Sequence, residues 1–106
     1  MEDRELLELA AKAAEYEHYN YVENEYRDGR KVTGHYDSLL EVCINPLTDD
    51  GDALRLAVNL GLIVETGRCW HSRHGPMFGE DVHPDPFAAT RRAIVRAAAE
   101  IGKGMR

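Results

Sequence analysis

Apolar residues recur along the chain at the spacing of three amphipathic helices. The first helix is predicted over residues 3–15, with an apolar stripe at Leu6, Leu9, Ala10 and Ala13. The second follows a turn at residues 45–52 and ends at Gly61, with a stripe at Ala53, Leu54, Ala57 and Leu60. The third is predicted to begin after Asp85 and to end at Gly102, with a buried side formed by Phe87, Ile94, Ala97, Ala98 and Ile101.

Between the first two helices the chain carries the signals of strands and turns. Residues 16–26 are rich in tyrosine, which favours a strand. The Asp28-Gly29 pair predicts a hairpin turn, because glycine readily adopts a positive φ, and residues 31–36 are then the return strand. Residues 39–44 fit either a further strand or a short buried connector.

The second half of the chain has fewer strand signals. Residues 62–64 predict a buried strand that can extend to residue 70, and residues 71–86 predict a loop with a short strand near Val82. One mostly antiparallel sheet packed against about three helices buries all the apolar stripes with the fewest elements. The sequence therefore predicts an α+β fold, similar to an α-β-α sandwich, as a single domain over residues 1–106.

The charge of the chain narrows the classes of partner. It carries 13 basic and 19 acidic side chains, a net charge of −6. Proteins that bind the phosphates of a nucleic-acid duplex normally have a basic face. Because this chain is acidic, we expect no direct binding of nucleic acid. The charge is uneven, with a net −10 over residues 1–90 and a net +4 over residues 91–106. The basic end fits a helix C-terminus and solubility, and a patch for an acidic partner is the alternative.

The cysteines and the start of the chain indicate the compartment. Cys43 and Cys69 are the only cysteines, and no hydrophobic leader precedes them, so a secreted disulfide scaffold is not expected. No run of apolar residues is long enough to span a membrane. We expect a reducing cytoplasm in which both thiols are free.

The densest set of metal-ligand residue types lies between residues 69 and 83. Cys69, His71, His74 and His83 are acceptable Zn²⁺ ligands, but their spacing lacks the paired cysteines of a zinc finger. We interpret the segment as a polar loop with Cys69 packed in the core, and we predict no metal site. The alternative is a small-ligand site, for example for a nucleotide, formed by Trp70, His71, His74, Arg91 and Arg92.

Asp49, Asp50 and Asp52 precede the second predicted helix. Clustered carboxylates can hold Mg²⁺, but acidic residues at a helix N-terminus also cap the free N–H groups and offset the helix dipole. No nuclease pattern, phosphate-binding loop or catalytic triad accompanies them. We therefore predict a capping role and no enzymatic activity.

Tyrosines and acidic residues alternate in the first predicted hairpin. Tyrosine is favoured at recognition surfaces, because it combines a broad apolar face with one polar group. Rings among acids suit a protein partner rather than nucleic acid, although some of these rings can simply cover the sheet. The predicted partner-binding residues are Tyr19, Tyr21, Glu23, Glu25 and Asp28, an acidic face that resembles nucleic acid in charge.

Two long segments resemble a known family. NPLTDDGDALRLAVNLGL at residues 45–62 and DPFAATRRAIVRAAAEIG at residues 85–102 resemble the phage α-β-α sandwich or NinX-like proteins of tailed bacteriophages. Members of that family often carry Trp before the Asn-Pro pair, where this chain has Ile44. The resemblance implies a phage or prophage origin and the cytoplasm of an infected or lysogenic bacterial host. It carries no catalytic motif.

Together these features predict a non-enzymatic phage accessory protein that binds a host protein. Small phage accessory proteins of the kind that the resemblance implies often bind host components, including immune components, so the expected partner class is a host immune effector of the anti-phage, CRISPR type. The alternative function is a small-ligand or metal binder, such as a nucleotide sponge that uses residues 69–83. We expect no cofactor and no membrane association, and either a monomer or a homodimer that pairs through the hairpin edge.

Overall fold

The computed structural model describes residues 1–27, 29–73 and 75–105, and within them it contains three helices and six strands. In chain order the elements are α1 (Asp3–Ala14), β1 (Asn20–Arg27), β2 (Arg30–Asp37), β3 (Val42–Ile44), α2 (Asp50–Leu60), β4 (Ile63–Glu65), β5 (Arg68–Trp70), β6 (Phe78–Gly79) and α3 (Pro86–Lys103). Within the described ranges, no helix has both the length and the apolar character needed to cross a membrane.

Helix α3 is the central element of the fold. It packs along α1, and it also contacts α2 and the strands β4, β5 and β6. Its alanines allow this, because small side chains let neighbouring elements approach closely. Leu56 of α2 and Val95 of α3 are fully buried, and each contributes about 2–3 kcal/mol through removal of apolar surface from water.

The helix boundaries follow signals that are local in the sequence. The Asp49 carboxylate caps α2 by accepting a hydrogen bond of 2.8 Å from the N–H of Asp52, and Gly61 ends the helix with a φ of 66°. Asp85 accepts hydrogen bonds from two N–H groups in the first turn of α3, and Pro86 occupies the first helical position. The predicted starts of both helices are therefore confirmed.

The tyrosine-rich segment and its return strand form the predicted hairpin, which β3 extends into a three-stranded antiparallel sheet. Gly29 has the positive φ, 77°, that the predicted turn requires, while Asp28 lies outside the described residues. β1 begins at Asn20, later than expected, because the left-handed Glu15 and a turn at residues 17–18 reverse the chain between α1 and β1. Only Val42–Ile44 of the third predicted strand pairs with β2.

A bulge in β1 reverses the alternation of its side chains. Three residue steps separate Val22 from Glu25 on β1, where the partner strand advances by two. Asn24, in the bulge, has a left-handed φ of 52°. Glu25 therefore lies on the same face as Val22, whereas Glu23 and Tyr21 lie on the opposite face.

Strands β4, β5 and β6 form a second three-stranded antiparallel sheet. The strand predicted after α2 exists, but the expectation that it is buried is wrong, since all three residues of Ile63–Glu65 are exposed. It does not continue to residue 70, because the chain reverses at Gly67, whose N–H donates a hydrogen bond of 2.8 Å to Oγ1 of Thr90 in α3. The short strand predicted near Val82 lies earlier, at Phe78–Gly79.

The α+β class, with about three helices and antiparallel strands, is confirmed. The strands form two sheets rather than the single expected sheet, because one packs beside α1 and the other on α3. Two predicted core residues are on the surface: Leu54 is 63% exposed and Phe87 is 66% exposed. Gly102 does not end α3 but is buried within it, and the helix continues to Lys103.

Candidate functional site

Three tyrosines and one histidine form a continuous run of aromatic rings where the end of α1 approaches β1 and β2. The ring centroids of Tyr16 and Tyr19 are 5.3 Å apart, and His35 lies 6.3 Å from Tyr16 and 5.5 Å from Tyr21. These separations fall in the range in which aromatic pairs attract each other. The three tyrosines are half-buried and His35 is buried, so the rings are held in place while part of each phenol faces solvent.

Glutamates surround these rings. Glu8, Glu15 and Glu17 line an open cleft of about 390 Å³ together with rings of the run. Glu23 accepts a hydrogen bond of 3.1 Å from the Tyr21 hydroxyl. We name these rings and glutamates the tyrosine surface, which consists of Glu8, Glu15, Tyr16, Glu17, Tyr19, Tyr21, Glu23 and His35.

The end of α1 positions the first ring of the tyrosine surface. Glu15 adopts a left-handed φ of 59°, and the N–H of Tyr16 donates a hydrogen bond of 3.1 Å to the Ala11 carbonyl. A residue with a side chain pays about 1–2 kcal/mol for this conformation, which glycine adopts freely. The reversal directs the chain from α1 back towards β2 and brings Tyr16 against His35.

Burial fixes the protonation states within the tyrosine surface. It raises the pKa of Tyr16, and the nearby Asp52 carboxylate raises it further. The pKa of Tyr21 is raised by burial and by its hydrogen bond to Glu23. Burial lowers the pKa of His35, with a smaller opposing effect from Glu8. Near neutral pH the two phenols therefore remain protonated hydrogen-bond donors and His35 is uncharged.

The cations beside the tyrosine surface are engaged within the protein. Arg4 lies 5.0 Å from the Tyr21 ring centroid, and its Nε donates a hydrogen bond of 2.7 Å to Glu8. Lys12 Nζ donates a hydrogen bond of 2.8 Å to the Met105 carbonyl. The four glutamates outnumber these two cations, so the surface carries a negative charge towards solvent.

The structure brings together part of the predicted partner-binding face. Tyr19, Tyr21 and Glu23 belong to one surface, whereas the bulge places Glu25 on the other face of the sheet, where it pairs with Arg27 at 2.9 Å. Asp28 lies outside the described residues. The sequence-based choice omitted the contributions of α1, of the segment that follows α1, and of β2, because contacts between distant segments leave no signal in local patterns. Those contributions are Glu8, Glu15, Glu17, Tyr16 and His35.

The residues of the alternative small-ligand site are not gathered at one place. Arg91 reaches the start of α2, where it pairs with Asp50 and donates to the carbonyl of Leu47 in the preceding turn, whereas Arg92 reaches α1 and pairs with Asp3. Consecutive helical residues point about 100° apart, which explains the divergence. In the loop after β5, His71 Nδ1 accepts a hydrogen bond from the backbone of Arg73, and Trp70 is half-buried. His74 lies outside the described residues, and the ligand-binding alternative stays a prediction.

Every described cation of the basic C-terminal segment is paired with a carboxylate. Arg91 and Arg92 hold α3 to the N-terminal turns of α2 and α1. Arg96 pairs with Glu80, also donates to the Gly79 carbonyl, and lies 4.9 Å from the Phe78 ring centroid. Lys103 pairs with Glu100 at 3.7 Å. The three arginines attach α3 to its neighbours, a role that the composition alone did not indicate, whereas the Lys103 pair lies within α3.

The predicted structural roles of the acidic cluster and of Cys69 agree with the structure. Asp49 caps α2, and Asp52 accepts hydrogen bonds from the Asn45 backbone and from Arg55. Cys69 is fully buried, and burial raises the pKa of its thiol to about 11. In the described part of the chain, no group of three or more His, Cys, Asp or Glu side chains is arranged to hold a metal ion.

Comparison with known proteins adds no identification. No protein-family model, curated protein or solved structure matches the chain. The resemblance of residues 45–62 and 85–102 to phage α-β-α sandwich proteins therefore stays a prediction.

Proposed function

We propose that this protein is a non-enzymatic phage or prophage accessory protein that binds a host protein through the tyrosine surface. The observation that carries the proposal is the run of partly exposed rings held among four glutamates. Tyrosine offers a large contact area for few rotatable bonds, and rings already held by their neighbours lose little further freedom on binding. The phage origin rests on the resemblance of the two helical segments.

The partner class that we favour is a host anti-phage effector of the CRISPR type. Such effectors hold nucleic acid in a positively charged channel. The tyrosine surface offers stacking rings and negative charge, which are the two features that single strands present to basic channels. The net charge of −6 also favours fast association with a basic partner. The protein thus competes for a nucleic-acid site without binding nucleic acid itself.

Glu23 and Glu25 provide a matched pair of variants for testing this proposal. Both are exposed and on the same strand, but they lie on opposite faces. Glu23→Lys is expected to weaken binding to the effector about tenfold or more, because it places a like charge against a basic channel. Glu25→Lys makes the same change of charge away from the surface and is expected to keep the wild-type affinity.

The measurement combines plaque formation with binding. Phage plaques are counted on cells that express a matching CRISPR-type effector and each variant, and the affinity for the purified effector is then measured. In the plaque assay, wild type and Glu25→Lys are expected to restore plaques. In the binding assay, added single-stranded nucleic acid is expected to compete with both proteins for the effector. Equal loss of function in both variants would show that the tyrosine surface is not the interface. Inhibition at far less than one equivalent would contradict a non-enzymatic mode.

A further inference from the structure

A second surface lies away from the tyrosine surface, in a groove between α2, α3 and β4. The groove has a volume of about 710 Å³. Its floor includes the buried side chains of Ala53 and Ile94, and its walls carry the exposed side chains of Leu54, Val64 and Phe87. A contiguous patch of large, solvent-exposed apolar side chains is typical of an interaction site.

The two helices present regular rows of side chains to this groove. Phe87, Thr90 and Ile94 are spaced at i, i+3 and i+7 along α3, and Ala53 and Leu54 are adjacent on α2. β4 is an edge strand that forms the third wall. A channel between two helices accepts a third helix that inserts its own apolar row. The lining stretch of α3 from Phe87 to Ile94 gives the channel a length of about 10 Å, which matches about two turns of such a helix.

The charged side chains that line the groove indicate the charge of the segment that it binds. Asp50 on α2 and Glu65 on β4 both line the groove with largely exposed side chains, and Glu65 has only a loose, exposed contact of 3.8 Å with Arg68 outside the lining. Arg91, the one cation among the described residues that line the groove, has only 18% of its side chain exposed. It is held by the Leu47 carbonyl at 2.8 Å and by Asp50 at 2.6 Å. The lining thus has two carboxylates and one arginine that is already paired with Asp50, and the net charge of −1 favours positive charge on an incoming segment.

We propose that this groove binds a basic amphipathic helix of a partner protein. The apolar row of that helix lies between α2 and α3, and its Lys or Arg side chains flank the row and meet Asp50 and Glu65. A second copy of this chain is disfavoured as the occupant, because the net charge of −6 on each copy opposes association. The groove and the cleft of the tyrosine surface share no lining residue, so loss of binding at one surface leaves binding at the other unaffected.

Two synthetic helical peptides test this proposal directly. Each is about 14 residues long, with leucine at i, i+3, i+4 and i+7, and they differ only in lysine or glutamate at the flanking positions. Fluorescence anisotropy is expected to give at least about tenfold tighter binding for the lysine peptide, with the difference shrinking at high salt. Glu65→Lys is expected to reduce or reverse this preference.

Variants at exposed positions locate the peptide without disturbing the fold. Leu54→Ser and Phe87→Ser are each expected to weaken binding of the lysine peptide about tenfold, and thermal unfolding is expected to show stability close to wild type. Leu39→Ser is the matched control, because Leu39 is 90% exposed and outside the groove. It is expected to leave the affinity unchanged, as is Glu23→Lys on the tyrosine surface.

Each of four results would overturn the proposal. The first is equal affinity for the lysine and glutamate peptides, and the second is an equal effect of Leu39→Ser and Phe87→Ser. The third is a dimer in sedimentation equilibrium that Phe87→Ser dissociates, which identifies a second copy as the occupant. The fourth is saturable binding of the small apolar dye anilinonaphthalene sulfonate in the groove with no binding of either peptide.

Discussion

Gly102 shows how closely α1 and α3 approach each other. It is buried in the last turn of α3, and a Cβ atom added to it would overlap the carbonyl oxygen of Leu9 in α1 and lie 2.8 Å from its carbonyl carbon. The obstacle is backbone, so no flexible side chain can move aside. The sequence places glycine here because the contact leaves no space for a side chain, not because the helix ends.

Replacing Gly102 with alanine is expected to lower the free energy of unfolding by about 2–3 kcal/mol, because the two helices must separate. In an unconstrained helix the same change stabilises by up to about 1 kcal/mol, so the sign of the effect tests the contact. Urea unfolding provides the measurement. Gly104→Ala, where the nearest atom is 3.5 Å from the added Cβ, is expected to change stability by less than about 0.5 kcal/mol. Similar effects in both variants would contradict the close approach.

His35 makes the stability depend on pH in a defined direction. Burial lowers its pKa in the folded state, whereas the unfolded chain takes up the proton near pH 6.5. Below that pH the unfolded state binds more protons, so the free energy of unfolding falls as the solution is acidified. His35→Phe keeps a ring beside Tyr16 and Tyr21 and is expected to lose less stability between about pH 7.5 and pH 5.5. Equal losses in chemical denaturation of wild type and variant would count against this role.

At the scale of elements, the arginines of α3 connect it to neighbours that are distant in sequence. Arg91→Met removes two hydrogen bonds from a mostly buried guanidinium and is expected to cost about 1–2 kcal/mol. Arg68→Met removes only an exposed contact with Glu65 at 3.8 Å and is expected to cost less than about 0.5 kcal/mol. The free energies of unfolding of both variants are measured in urea, because guanidinium chloride is a salt and would screen both ion pairs. Equal costs would mean that the Arg91 contacts contribute no more than a surface pair.

The elements differ in how far the sequence predicted them. Asp49, Gly61 and Asp85 bond to the backbone of their own helices, so their signals could be found locally. The side of each helix that is buried depends on what packs against it, and the expectation failed for Leu54 and Phe87 for that reason. The bounds of the strands and their arrangement in sheets were harder to predict than the helices, because the pairing partners of a strand come from elsewhere in the chain.

The candidate site was predictable to the same limited extent. Tyr19, Tyr21 and Glu23 lie within five residues of each other, and their composition pointed to a binding surface. The bulge at Asn24, which moves Glu25 to the other face, has no distinctive sequence signal. The groove between α2, α3 and β4 was not predicted, because its apolar residues are typical of core positions when each segment is considered alone.

At the scale of the whole molecule, α3 joins parts that otherwise have few contacts with one another. It contacts α1, α2 and the sheet of β4–β6, whereas β1 depends mainly on its pairing with β2. The tyrosine surface and the groove therefore lie on different parts of a structure that shares one central helix. Changes confined to either surface are expected to leave the other intact, because exposed side chains contribute little to the common core.

Because the two cysteines are buried to different extents, thiol labelling of the unmodified protein can measure how often its core opens. A thiol reagent reaches the half-buried Cys43 in the folded protein, but it reaches Cys69 only when the core opens. Mass spectra recorded during labelling then show an early first adduct and a later second one. A bound partner stabilises the folded state, and the logarithm of the rate of the second adduct falls in proportion to that added free energy, so labelling kinetics measure occupancy of either surface without a fluorophore or a substitution.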